Sequence, residues 1–242
     1  MRTCGWHYNE MKQVGTDYAD AKEVEAYDAR MRKLRDLYPE AIRSETEKIL
    51  ASLHIAQDQT LLEIGCGTGE FAIAAAGRCS KVIAADVSLP MLEFARQKAK
   101  KRNVKNIEFH NAGFLTYEHS GEPVDAVVSQ IALHHLPDFW KMIALRHIYS
   151  LLKDGGRFYL KDTVYSFDVD NYQVFFDKFV RGIRNAAGNE MAVDAETAVR
   201  EEYSTLGWIM EGLLERAGFH IDKKEYFEGF MAVYECTKPD AV

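Results

Sequence analysis

Hydrophobic positions change period several times along the chain, and the changes mark its elements. Residues 40–53 place Ile42, Thr46, Ile49, Leu50 and Leu53 on one helical face. Thr60–Ile64 then reads as a buried strand and Gly69–Ala76 as a helix stopped by Gly77. Lys81–Ala85 is a second strand. Ser88, Leu89 and Pro90 supply an N-cap and an early proline for a helix running to about Lys101. Third and fourth strands are expected at Asn106–His110 and Val124–Ser129. Asp138 is placed to cap a helix that runs to Leu152, and the turn Lys153–Gly156 leads to a fifth strand, Arg157–Asp162.

Strand–helix alternation of this kind predicts parallel strands joined by right-handed crossovers. Residues 168–200 interrupt it as a helical insertion, and a helix at about 204–217 ends at Gly218. The β-rich segments 219–226 and 230–236 lie too close together for a crossover and must form an antiparallel hairpin. The expected architecture is α/β: seven strands, mostly parallel, with an antiparallel strand at the C-terminal end and helices on both faces. Residues 1–38, rich in tyrosine and charge, read as loops and one or two short helices outside this core.

Composition narrows the function. The 242 residues are 47% hydrophobic and 28% charged, as expected of a globular chain. Their length fits one decorated domain: an N-terminal lid segment over 1–39 and a main domain over 40–242, with the insertion at about 163–203. The net charge of −7 argues against a nucleic-acid partner held by phosphate neutralisation. The basic run Lys98–Lys105 complements the dipole at a helix end and reads as a solvated face. Cys4, Cys66, Cys79 and Cys236 share no C-x-x-C spacing, so a reduced chain without a zinc or redox motif is expected. No apolar run approaches the ~18 residues of a membrane span, and the N-terminus lacks an apolar signal core. A cytoplasmic protein without a membrane partner is the expectation; the pattern leaves monomer and homodimer open.

The chemistry concentrates at Leu61–Phe71, LLEIGCGTGEF. Three alternating glycines leave the carboxyl end of the first strand, where open α/β sheets bind ligands. The spacing is neither that of a nucleoside-triphosphate loop nor the G-x-G-x-x-G of a dinucleotide fold. The second strand ends at Asp86, 21 residues after Gly65, where a carboxylate can accept both hydroxyl protons of a ribose. Taken together, LEIGCGTGEF, VIAADVS, VDAVVSQIALHHLPD and LLKDGGRFYLKD resemble the class I S-adenosylmethionine-dependent methyltransferases, and most of all their small-molecule branch. The resemblance covers about residues 40–162 and implies a Rossmann-like fold with S-adenosyl-L-methionine as cofactor and S-adenosyl-L-homocysteine as product.

Carried onto this chain, the resemblance implies that Glu63, Gly65, Cys66, Gly67 and Gly69 face the methionine and ribose end of the cofactor. It implies that Asp86 binds the ribose hydroxyls, that Val87 and Met91 pack on adenine, and that Ser129, Gln130 and Ile131 border the sulfonium. An acidic residue commonly follows the third strand in that family and bonds the adenine amino group. Here Gly113 stands in its place. Adenine recognition is then expected from the backbone at Gly113 and Phe114 with the Phe114 ring nearby, or from Asn111 if the register slips by two.

His134 and His135 offer at most one general base, because neighbours at a strand end point opposite ways. The other imidazole is expected to pack or to cap the next helix. No metal is expected, since His110 and His119 have no ligand spacing with this pair. Tyr172, Phe175, Phe176 and Phe179 form the apolar face of an amphipathic helix, as plain packing or as a lid over an apolar acceptor. Trp6, Tyr8, Tyr18 and Tyr27 are candidates to close the site from above, with Tyr18 and Tyr27 expected at the cofactor. Cys66 is expected to pack rather than react. SQIA stands where a [DN]-P-P-[YF] motif would mark amino groups of bases or glutamine amides as acceptors. The expected reaction is in-line methyl transfer to a small molecule. The alternatives are a non-catalytic binder of the same cofactor and an NAD-dependent oxidoreductase, for which no Ser/Tyr/Lys set follows the fourth strand.

Overall fold

The computed structural model describes residues 5–12, 14–15, 20–37 and 39–240, the side chains of 33–37 and 39–43 excepted. Seven strands make one sheet: β1 (Thr60–Ile64), β2 (Lys81–Asp86), β3 (Ile107–Asn111), β4 (Val124–Gln130), β5 (Leu152–Tyr165), β7 (His220–Phe227) and β8 (Met231–Thr237). Their order is β3-β2-β1-β4-β5-β8-β7, and a two-residue strand, β6 (Thr205–Leu206), pairs with β5 off this path. β1 to β5 are parallel, and β8 runs antiparallel between β5 and β7. The expected architecture is therefore the observed one, with β6 as an addition.

Alternation along each strand feeds two cores. Leu62, Ile64, Ile83 and Val127 face α5 (Asp138–Leu151) and α8 (Gly207–Ala217), which contribute Leu145, Ile148, Met210 and Leu214. Leu61, Val82, Ala84 and Val128 face the other way, onto α2 (Pro39–Ser52), α3 (Glu70–Ala75) and α4 (Leu89–Lys101), which contribute Ile49, Phe71 and Leu92. Neighbouring strand residues point to opposite faces, so a one-residue slip of a strand would exchange its side chains between the two cores and misfit both.

Several local expectations change. Asp138 is not the N-cap of α5, which is Pro137. Its carboxylate instead accepts from Lys141 Nζ at 2.8 Å and from Thr205 Oγ1 at 3.1 Å. The Lys153–Gly156 turn lies within β5, whose pairing jumps from Val124↔Leu152 to Ala126↔Arg157. The N-terminal region holds one 17-residue helix, α1 (Ala21–Leu37), longer than its charge-rich sequence suggested.

The helix α1 is pinned to the glycine turn. Asp28, buried on α1, accepts from Thr68 Oγ1 at 3.0 Å and from Lys98 Nζ at 2.6 Å. Lys98 also reaches Glu70 at 2.9 Å, so the ammonium is shared by two carboxylates where little water reaches it. The insertion, α6 (Tyr172–Ala187) and α7 (Asn189–Glu201), leaves from β5 and returns at β6. No helix among the described residues is long and apolar enough to cross a membrane.

Replacing Asp28 by Ala would leave Lys98 and Thr68 without their deepest partner. The expected result is a loss of about 1–3 kcal/mol in chemical denaturation. Hydrogen exchange should accelerate in α1 and the glycine turn, with β4 and β5 unchanged.

Candidate active site

The site is built at the carboxyl ends of β1, β2, β3 and β4. Gly65, Gly67 and Gly69 carry φ of 81°, 50° and 74°, left-handed values that side chains disfavour. Space reinforces this at two of them. A Cβ on Gly65 would lie 2.4 Å from Ala132 Cβ, and one on Gly69 2.8 Å from Ala95 Cβ. The N–H groups of Gly65 and Cys66 both donate to the Ala85 carbonyl, at 2.8 and 3.0 Å, which ties the turn to β2.

Asp86 sits at the floor of this turn. Its Oδ2 accepts the Gly67 N–H and its Oδ1 the Ser88 N–H, each at 2.8 Å. Burial raises its pKa and the two N–H groups hold it down. Each oxygen keeps a further lone pair for a ligand. Glu63 is buried nearby, and burial together with Asp86 pushes its pKa well up. Glu63 Oε2 and Ser129 Oγ are both buried without a hydrogen-bond partner among the described residues. The Cys66 thiol is pushed well up by burial and by Asp86, so it packs as a neutral thiol.

On the β3 side, the Asn111 amide donates to the carbonyls of Asp86 (3.1 Å) and Val87 (2.9 Å), which engages it structurally. Met91 is buried in the first turn of α4, its N–H donating to Ser88 Oγ at 3.3 Å. Val87 stands beside Gly113, with Cγ1 2.7 Å from the point where a Gly113 Cβ would be. The Phe114 ring is buried in the core shared with α5 and α8. Beside Gly113, Glu10 accepts the Leu115 N–H at 2.8 Å and the Thr116 hydroxyl at 2.7 Å through Oε1.

The histidine pair departs from expectation. Both residues lie in a 3-10 turn, Leu133–His135, not at the end of a strand, so alternation does not apply and their ring centroids are 4.4 Å apart. His134 is sandwiched between carboxylates, Nδ1 2.5 Å from Asp162 and Nε2 3.3 Å from Glu202. Burial opposes its charge, yet the two carboxylates outweigh burial and push it up to about 10. His134 is thus a held imidazolium rather than a base. Burial and that neighbouring charge bring His135 down to about 4, so it is neutral at pH 7. The His135 ring bonds the Val14 backbone, and its carbonyl accepts the Tyr8 hydroxyl at 3.1 Å. His134, His135 and Glu202 offer ligand atoms within 4.8 Å of one another. A metal there would have to displace one of the two ring protons that His134 directs at its carboxylates.

Residues 7–12 run from α5 toward the β3 turn. His7 lies against Trp140, with centroids 5.0 Å apart, and Gly15 abuts the Glu202 carboxylate. Tyr27 is half-buried on α1, one residue before Asp28; Trp6 is exposed, and Tyr18 lies outside the described residues. In the insertion, Phe175 stacks on Phe167 at 3.8 Å, Phe176 meets Tyr165 at 5.4 Å, and Phe179 meets Phe230 at 4.5 Å. These three rings pack, while Tyr172 is exposed. Glu10, Asp28, Asp162 and Glu202 all act across long sequence distances and carry no periodic signal.

The methyltransferase-domain model matches residues 61–156. An uncharacterized methyltransferase of Bacillus cereus is 30% identical over 206 residues, spanning 84% of this chain and 89% of that protein. A relative from Geobacillus thermodenitrificans, also an uncharacterized methyltransferase, is 27% identical over 93% of this chain and 99% of its own length. The crystal structure of a SAM-dependent methyltransferase from Aquifex aeolicus has the same fold, with a TM-score of 0.63, 18% identity, and coverage of 90% of this chain and 98% of that one. The chain belongs to the class I S-adenosylmethionine-dependent methyltransferases. Its cofactor is S-adenosyl-L-methionine, and membership sets aside the oxidoreductase and non-catalytic alternatives.

His134→Ala would strand two buried carboxylates, and about 3–5 kcal/mol of stability should be lost in urea denaturation at pH 7. The folded-state pKa of about 10 exceeds the ordinary 6.5, so the stabilisation is complete below about pH 6.5 and disappears as pH rises through 10. Wild type should therefore lose stability between pH 7 and 10, and the variant should not show that loss.

Proposed function

We propose that this enzyme transfers a methyl group to a small-molecule acceptor by in-line displacement at the carboxyl ends of β1 and β4. The observation that carries the reading is the buried Asp86 carboxylate, set under the glycine turn with lone pairs to spare. In this reading Asp86 binds the ribose hydroxyls, and Val87 and Met91 pack on the purine beside Gly113 and the Phe114 backbone. Gly65, Cys66, Gly67 and Gly69 cradle the methionine end, with Glu63 below. The unpartnered Glu63 Oε2 and Ser129 Oγ suit a polar ligand in that cradle. Gln130 and Ile131 border the sulfonium, and Tyr27 caps the turn from α1.

The cofactor supplies an activated methyl group and a neutral thioether leaving group. The chain's own task is to hold the acceptor in line and exclude water. Residues 1–39 and the 163–203 insertion serve as covers on the 40–242 domain. His135 is the imidazole able to accept a proton from the acceptor, and His134 fixes the turn that presents it. The acceptor carries O, N, S or an activated carbon. The acidic net charge and SQIA after β4 support a small molecule over a nucleic acid. Three free, buried cysteines among the described residues suit a reducing cytoplasm.

Calorimetric titration tests the site. S-adenosyl-L-homocysteine should bind at micromolar concentration, and Asp86→Ala should weaken it at least tenfold, the scale of a lost charge-assisted hydrogen bond. Unchanged affinity in the variant would move the ribose elsewhere. With an acceptor in hand, His135→Gln should reduce kcat by about 100-fold if proton removal accompanies transfer, and leave it unchanged if the acceptor arrives without a proton to lose.

A further inference from the structure

We propose that Glu10, from the N-terminal segment, is the residue that selects adenine, receiving its exocyclic amino group where a side chain at position 113 would otherwise stand. The proposal rests on the reading that the purine lies beside Val87 and Gly113.

Three observations converge. First, the Glu10 carboxylate is divided in its duties. Oε1 holds the Leu115 N–H and the Thr116 hydroxyl, while Oε2 is buried with no hydrogen-bond partner among the described residues. An unpartnered buried carboxylate oxygen is costly, and a ligand donor would relieve that cost. Second, Gly113 is a glycine for reasons of space. Its φ is not among the positive ones, so the backbone there does not call for glycine. A Cβ at 113, however, would fall 2.5 Å from Glu10 Oε2 and 2.6 Å from its Cδ. The carboxylate thus fills the volume of the absent side chain. Third, the same point lies 2.7 Å from Val87 Cγ1, one residue past Asp86. The acceptor oxygen and Val87 therefore meet at the same point beside Gly113.

The chemistry is selective. A 6-amino purine offers hydrogens to Oε2, whereas a 6-oxo purine presents an acceptor to an acceptor. Oε2 is buried, so an amino group that bonds it must displace what covers it, which couples nucleoside binding to the seating of residues 7–12. The competing role for Glu10 is purely structural, as the anchor of the 114–117 turn.

Full-length protein titrated with S-adenosylhomocysteine and with its 6-oxo analogue, S-inosylhomocysteine, separates the two. Wild type should prefer the adenine compound by about 10- to 100-fold. E10Q keeps an acceptor for Leu115 and Thr116 but turns an amide toward the purine, and should lose or invert the preference. E10A should lose it, and E10A/G113D, which returns a carboxylate from the β3 side, should regain it. If E10A folds poorly, E10Q and the swap still decide. A preference that survives in E10Q and E10A overturns the proposal and leaves Glu10 as an anchor. Binding of both compounds without preference by wild type also overturns it, whereas affinity unchanged in Asp86→Ala would remove the purine placement itself, a separate failure.

Discussion

The Asp86 carboxylate accepts one N–H from the turn after β1 and one from the turn after β2. The rest of the site is arranged around that pair of bonds. They set the distance between the two strand-end turns. The Asn111 amide, bonded to the carbonyls of Asp86 and Val87, brings β3 into the same frame. Three parallel strands thus end in one hydrogen-bonded rim. A carboxylate so placed is both structural clamp and binding group, since two N–H partners leave half of its acceptor capacity unused.

Around this rim, the N-terminal segment and the insertion are fastened by polar contacts as well as by apolar packing such as that of Val24 and Tyr8. Asp28 and Lys98 fix α1 to the glycine turn, and Glu10 fixes residues 7–12 to the β3 turn. The exit of the insertion is held by Tyr203 N–H on the His134 carbonyl at 2.9 Å and by Lys141 on the Tyr203 carbonyl. Charge-assisted bonds in poorly hydrated places are directional, so they hold a cover at one angle. The His134 imidazolium completes the pattern by joining β5, through Asp162, to the end of α7, through Glu202.

Much of this was legible in the sequence, because period-two and period-3.6 patterns report which face of an element is buried. The strands β1 to β4 and the closing hairpin stand within a residue or two of their expected bounds. The glycine turn and Asp86 were legible because their spacing is local. Three things were not. The 3-10 turn at Leu133–His135 is too short to leave a period, so the two imidazoles were assigned to opposite faces. The charge-rich 21–37 stretch hides a helix that meets the domain through buried Val24 and through the ion pair of Asp28 with Lys98. Glu10 lies 103 residues from Gly113, and nothing local announces that one residue fills the space left by the other. Gly113 itself was the visible half of that pair, a missing acid whose replacement only the folded chain supplies.

The insertion leaves and rejoins the sheet at adjacent points. Val164 on β5 pairs with Thr205 on β6, so residues 166–204 begin and end side by side. Closing a loop whose ends are already joined costs little more as it lengthens, about 0.6 kcal/mol for each doubling. The sheet therefore carries this segment as an interchangeable cassette. Its length can be rewritten between Tyr165 and the Glu202–Tyr203 contacts to the His134 turn while the strands beneath keep their register.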